Sequence, residues 1–156
     1  QDFENFNLHN LISNLIEQNS ELKENQIATT LNIEKSKLIH FERISFIQIV
    51  SLIIQNSSEA FEKQQHKKNI RISNYIDGDF EILTIENNGP KIQDDHLNLI
   101  FNKFFTTKNK SYHRGLGLST VKTILEGFGG SIRVKSNEKS TIFEMHFRTR
   151  NNNNLN

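Results

Sequence analysis

Cysteine is absent from the chain, which excludes a disulfide frame and any thiolate metal site and suits a reducing compartment. Tryptophan is absent too, so phenylalanine, with 12 residues, carries the aromatic bulk. Proline occurs once, as Pro90, where it ends any regular pairing. Charge of one sign is not in excess. Lys and Arg number 19 against 18 Asp and Glu, so a net +1 gives no reason to expect nucleic acid or an anionic membrane as partner. No apolar run is long enough to cross a bilayer and no secretory signal is read at the start. The first residue is Gln1 rather than Met, so a piece of a longer protein is expected.

What the chain has is 156 residues that are 35% hydrophobic and 24% charged, the make-up of one ordinary globular domain with room for a core. Residues 114–131, RGLGLSTVKTILEGFGGS, organise the rest. Gly115 and Gly117 open onto Leu118, Val121, Ile124 and Leu125, whose spacing of three and four predicts an amphipathic helix. Glycines at a helix mouth let backbone N–H groups approach an anion closely, and the helix dipole favours negative charge there. Gly129 and Gly130 predict where the helix stops.

Leu8, Leu11, Ile12, Leu15, Ile16 and Leu22 predict a first helix over residues 6–23, and the β-branched stretch 26–33 predicts a short strand. Phe46, Val50, Ile53, Ile54 and Phe61 place a second helix over 42–65. Residues 70–76 and 80–85 alternate around Asp77-Gly78-Asp79, a hairpin signal. A turn is expected at 87–90, a short helix at 94–100 and an irregular, basic, mobile loop at 104–113. Residues 131–135 and 141–147 predict a last hairpin, and the Asn-rich stretch 150–156 a disordered tail after a domain spanning 1–149. The sum is an α+β sandwich, one helical layer over one sheet.

Four stretches stand in one order: QIVSLIIQNSSEAF (48–61), ENNGPKI (86–92), IFNKFFTTK (100–108) and RGLGLSTVK (114–122). In that order they resemble the ATP-binding catalytic domain of two-component sensor histidine kinases, within the superfamily that also holds gyrase, Hsp90 and mismatch-repair ATPases. The resemblance runs from the first helix to Phe147 and implies a Bergerat-type fold, a mixed, mostly antiparallel sheet covered by three helices. It implies ATP and Mg²⁺ as cofactors and γ-phosphate transfer to a histidine on a separate helical dimerisation domain. Asn56 falls where the family places its metal ligand, and an amide carbonyl is a hard oxygen suited to Mg²⁺. Glu59, one turn on, is either a partner for a metal-bound water or a surface side chain. Asn87 and Gly89 fall in the base-binding box. Lys108, Arg114, Gly115, Leu116, Gly117 and Leu118 fall around the triphosphate, beneath a lid over 106–113. Phe104 and Phe105 are expected to anchor the lid's base.

Several positions depart from the family pattern. The superfamily's autonomous ATPases carry a water-activating Glu four residues before the metal Asn; here that residue is Leu52, which argues for phosphoryl transfer and against hydrolysis. In the DxGxG box the corresponding residues are Asn87, Gly89 and Lys91. Asn87 keeps a carbonyl acceptor without charge, which predicts weaker nucleotide binding and, because an amide also donates, reduced adenine selectivity. Lys91 is expected to be an exposed loop lysine, the alternative being a side chain that narrows the pocket or reaches a phosphate, and His113 stands where many members have a glycine. These departures motivate an alternative, a degenerate domain serving as a regulatory or interaction module. A third reading is a serine kinase of the anti-sigma-factor type. The six histidines show no metal spacing, and none sits in a phosphoacceptor helix. The resemblance implies as partners a phosphoacceptor domain of the same protein and a response regulator, with the isolated domain monomeric and cytoplasmic, as the cytosolic part of a membrane-bound sensor or free of one.

Overall fold

Alternation along two neighbouring strands decides the architecture. In β5 (Phe80–Asn87) the side chains of Glu81, Leu83, Ile85 and Asn87 are buried, and in β7 (Thr141–Arg148) those of Thr141, Phe143, Met145 and Phe147 are. A period of two puts each set on one face. The strands pair antiparallel with Leu83 opposite Met145 and Asn87 opposite Thr141, so both sets share that face. β4 (Lys68–Asp77) adds Ile70 and Ile72 opposite Asn87 and Ile85. β6 (Ser131–Ser136) flanks β7, and β2 (Ile27–Asn32) runs parallel to β4, giving the order β2-β4-β5-β7-β6. The structure is a computed structural model and describes residues 2–106 and 117–149.

Helices close the apolar face. α3 (Arg43–Glu59) buries Phe46, Ile49, Val50, Ile53 and Ile54, and α5 (Gly117–Gly127) buries Val121 and Leu125, all in one core cluster with the strand residues. α1 (Leu8–Gln18) adds Leu8, Leu11 and Ile12. The expected mixed, mostly antiparallel sheet under three main helices is therefore what forms, with two short helices, α2 (Ser20–Glu24) and α4 (Asp94–Leu97), beside them. α5 ends as expected: Gly129, at φ 78°, donates to the Glu126 carbonyl and Gly130 to that of Leu125, a Schellman closure.

Four boundaries differ from expectation. β1 (Phe3–Asn7) and β3 (Leu38–Glu42) form a separate antiparallel pair with Phe3 opposite Glu42. Each is only five residues long, and its partner is remote in sequence, so local pattern does not reveal it. The first helix accordingly starts at Leu8, where the Asn7 side chain accepts the Asn10 N–H at 2.8 Å. It breaks at Asn19, whose N–H donates to the Ile16 carbonyl while its side chain accepts from Leu22 and starts α2. α3 stops at Glu59 rather than at residue 65, with the Ala60 N–H turned back to the Ser57 carbonyl, and farther on the Gln65 side-chain amide donates to the Asn88 carbonyl at 2.7 Å. α4 ends at Leu97, and the chain continues to Phe105 in successive turns. Of the loop expected at 104–113, residues 107–113 lie outside the described residues, as does the tail expected at 150–156.

Phenylalanine ties the small sheet to the large one. Phe41 of β3 meets Phe147 of β7 edge-on at 5.3 Å between ring centroids, and Phe46 of α3 lies 4.8 Å from Phe147. Phe6 and Phe128 close the cluster against Phe46 and Phe41. Phe46→Ala is expected to cost about 3–5 kcal/mol, read as a lower urea midpoint with an unchanged slope.

The helix that carries this cluster is capped by a carboxylate. Glu42 accepts the Ser45 N–H at 2.8 Å. The Ser45 side chain first, then the Ser45 and Ile44 backbone N–H groups, hold its carboxyl below the ordinary 4.5. A depressed folded value means the capping contribution is complete above pH 4.5 and is lost as pH falls through the lowered value. Glu42→Gln should lower stability by about 1 kcal/mol near neutrality, with the gap to the wild type closing below that range in pH-dependent denaturation.

Candidate nucleotide site along helix α3

The apolar residues that seat α3 on the sheet also fix its rotation. Leu52, Asn56 and Ala60 follow one another at intervals of four, so they form a stripe along one side of the helix and its cap. At one end, a carbon added to Gly117 would stand 3.9 Å from the Leu52 Cδ2, so the mouth of α5 rests on Leu52. At the other, a carbon added to Gly89 would stand 3.4 Å from the Ala60 carbonyl oxygen and 3.0 Å from the Asn87 Oδ1. Asn56 lies between them, half-buried. Eight residues of helix rise about 12 Å, the scale of an extended nucleotide.

The strand end of the stripe is polar inside an otherwise apolar layer. Reading across the sheet, Ile70, Asn87, Thr141 and Ser136 stand side by side on four strands. Asn87 is 1% exposed, and its Oδ1 accepts the Gly89 N–H at 3.0 Å. The Thr141 and Ser136 hydroxyls bond each other at 2.7 Å, and Ser136 also accepts the Ile92 N–H at 2.9 Å. Asn88 holds the loop from the other side. Its Oδ1 accepts the Asn69 N–H at 2.7 Å, its Nδ2 donates to the Lys67 carbonyl at 2.9 Å, and its own carbonyl accepts from Gln65. The buried side-chain polar atoms without a partner among the described residues are the Asn87 Nδ2 and the Asn69 Oδ1 at this end, the Ser57 Oγ on α3 and the His9 Nδ1. Buried polar groups are nearly always paired, so an unpaired donor at the end of a binding stripe is the mark of a ligand or a water.

Of the residues expected from sequence, Asn56, Asn87, Gly89, Gly117 and Leu118 fall on or beside this stripe. Lys108, Arg114, Gly115, Leu116 and His113 lie outside the described residues. Lys91 is ion-paired within its own loop, with Nζ 3.6 Å from the Asp94 carboxylate. Glu59 accepts the Gln55 amide at 3.1 Å. Phe105 packs against the core and sets its ring edge-on to His96, as an anchor should, but Phe104 does not: it is 70% exposed at φ 66°. The turn that buries one of two adjacent phenylalanines turns the other out. Sequence reasoning missed Ser57, Asn88, Ser136 and Thr141. Thr141 had a signal, since it occupies the inward phase of TIFEMHF with Phe143, Met145 and Phe147.

Among the described residues, no cluster of three or more His, Cys, Asp or Glu side chains is placed to hold a metal. A cation on this stripe would take one amide oxygen from Asn56 and the remainder from water and phosphate, the habit of Mg²⁺.

A mixed sheet roofed by helices, with a glycine helix mouth and a polar strand end joined by one helix stripe, defines a nucleotide-binding α+β domain. Comparison narrows the class. Residues 41–151 match the family of histidine kinase-, DNA gyrase B- and HSP90-like ATPases, and the chain belongs to that family. It is 34% identical over 142 residues to the sensor histidine kinase ZraS of Salmonella typhimurium, a match covering 88% of this chain and 29% of ZraS. To the sensor protein ChvG of Agrobacterium fabrum it is 33% identical over 93 residues, 57% of this chain and 15% of ChvG. The catalytic domain of histidine kinase ThkA superposes with a TM-score of 0.81 at 25% identity, over 95% of this chain and 96% of that one. The chain thus spans less than a third of the length of these curated relatives.

Asn88→Ala would leave the Asn69 N–H and the Lys67 carbonyl unpaired. The expected outcome is a loss of about 1–3 kcal/mol in denaturant unfolding, with faster amide exchange at Asn69 and Gly89 than elsewhere in the sheet.

Proposed function

We propose that this domain binds Mg·ATP along the α3 stripe and presents the γ-phosphate to a histidine on a helical dimerisation domain of the same protein, from which a response regulator is served. The observation that carries this is the placement of Asn56 between the α5 mouth at Gly117 and the buried Asn87–Gly89 loop. When bound, Mg²⁺ would neutralise phosphate charge, and Asn56 would hold it. Gly117 and Leu118, at the start of α5, would present backbone N–H groups and the positive end of the helix dipole to the phosphates, with Gly115, Leu116, Arg114 and Lys108 completing that end. Asn87 and Gly89 would hold the base.

Leu52 supports transfer over hydrolysis. It stands against the α5 mouth and has no ionisable group, so no base at this place can take a proton from water. Catalysis then rests on positioning and charge neutralisation. Homology to ZraS and to the ThkA catalytic domain supports the same reading. The domain would then be part of a cytoplasmic signalling segment, monomeric when isolated.

Calorimetric titration with ATP tests the proposal. Saturable binding is expected, strengthened by Mg²⁺, and Asn56→Ala should reduce the Mg²⁺-dependent affinity about tenfold, equivalent to 1.4 kcal/mol. Absence of binding at millimolar ATP by a folded domain would overturn it in favour of an interaction module.

A further inference from the structure

The unpartnered atom at the base end of the stripe is a donor. Asn87 is buried at the end of β5, and the Gly89 backbone N–H, which can only donate, holds its Oδ1 at 3.0 Å. That contact settles which way the amide faces: turning it over would set the Nδ2 hydrogens against the Gly89 N–H. The Nδ2 is left buried with no acceptor among the described residues. The neighbouring Thr141 and Ser136 hydroxyls bond each other, and Ser136 also accepts the Ile92 N–H, but neither makes a hydrogen bond with the Nδ2. Gly89 itself is confined between Asn87 and the Ala60 carbonyl, and Asn88 is tied on both sides, so the loop has little freedom to release Asn87.

We infer that Asn87 makes the base subsite accept 6-keto purine nucleotides, those of hypoxanthine and guanine, at least as well as adenine nucleotides. The inference rests on the nucleotide-binding reading above. A carboxylate here would accept from the adenine 6-amino group and repel a carbonyl. The amide, locked as it is, offers a hydrogen to the base edge. A 6-keto oxygen accepts that hydrogen. The adenine amino group meets it donor to donor, so adenine binds through an intervening water, by a shift that offers a ring nitrogen instead, or by breaking the Gly89 contact.

The test compares ATP, ITP and GTP by calorimetry, each with Mg²⁺, on the wild type and on Asn87→Asp. ITP replaces the adenine 6-amino group by a carbonyl and moves a proton to N1, without the extra 2-amino group of guanine, so it is the primary comparison. The wild type is expected to bind ITP at least as tightly as ATP. Asn87→Asp keeps an oxygen for the Gly89 N–H and nearly the same shape, and should shift the ratio of affinities towards ATP by about tenfold or more. A wild-type preference for ATP over ITP as strong as that of Asn87→Asp would overturn the inference while leaving the nucleotide site standing. Binding of no triphosphate by the folded domain would overturn both.

Discussion

Helix α3 serves as core and as site because its rotation about its own axis is pinned. Phe46, Ile49, Val50, Ile53 and Ile54 are all fully or almost fully buried against the sheet and its neighbours. Turning the helix by one residue would bring apolar side chains to water and drive Asn56 into hydrocarbon. Each fully buried aliphatic or aromatic side chain contributes about 1.5–3 kcal/mol, so the apolar face outweighs any preference of the polar one. The stripe of Leu52, Asn56 and Ala60 therefore stands where it does as a by-product of core packing. Everything at the candidate site is then placed relative to a rigid helix.

The inner face of β5 shows how that core admits polar groups. Its two ends are Glu81 and Asn87, with Leu83 and Ile85 between them. Glu81 is 3% exposed and satisfied: Lys37 stands 3.3 Å from its carboxylate and the Asn74 amide donates to it at 2.8 Å. This pairing brings the segment before β3 onto the main sheet and helps join the two sheets. Asn87, at the opposite end, is satisfied among the described residues on its carbonyl side alone. One end of the strand is closed as structure and the other is left with an open valence, which is where chemistry is expected.

The outer face of the same sheet carries polar pairs of a plainer kind. Tyr75 donates to Glu144 at 2.9 Å, and the His146 ring nitrogen stands 3.1 Å from the same carboxylate. Burial opposes ionisation of Glu144, but the hydrogen bonds from Tyr75 and His146 outweigh it and leave its carboxyl below 4.5. The charge is thus settled across two strands without a place for a ligand. The contrast with the inner row, where a donor remains unmatched, separates a surface network from a candidate site.

Much of this was legible in one dimension. The three main helices, the central hairpin, the last hairpin, the glycine stop of α5 and the order of the four motif stretches follow from residue spacing, because apolar periodicity of two or 3.6 is a local consequence of which face is buried. The pair β1–β3, the break at Asn19 and the early end of α3 were not legible. They depend on a remote strand and on side-chain amides that compete with backbone hydrogen bonds. Asn56, Asn87, Gly89 and Gly117 were readable as candidates from their motifs, whereas Asn88, Ser136 and Thr141 acquire meaning only through cross-strand register. The exposure of Phe104 beside a packed Phe105 was equally invisible, since adjacent aromatic residues look alike in sequence. What the sequence by itself determined is the set of elements and the chemical kinds available to the site. Only the tertiary structure decided that Gly89 takes the oxygen of Asn87 and that its nitrogen has no partner among the described residues, because which atom of an amide finds a partner depends on the direction of a neighbouring N–H in space.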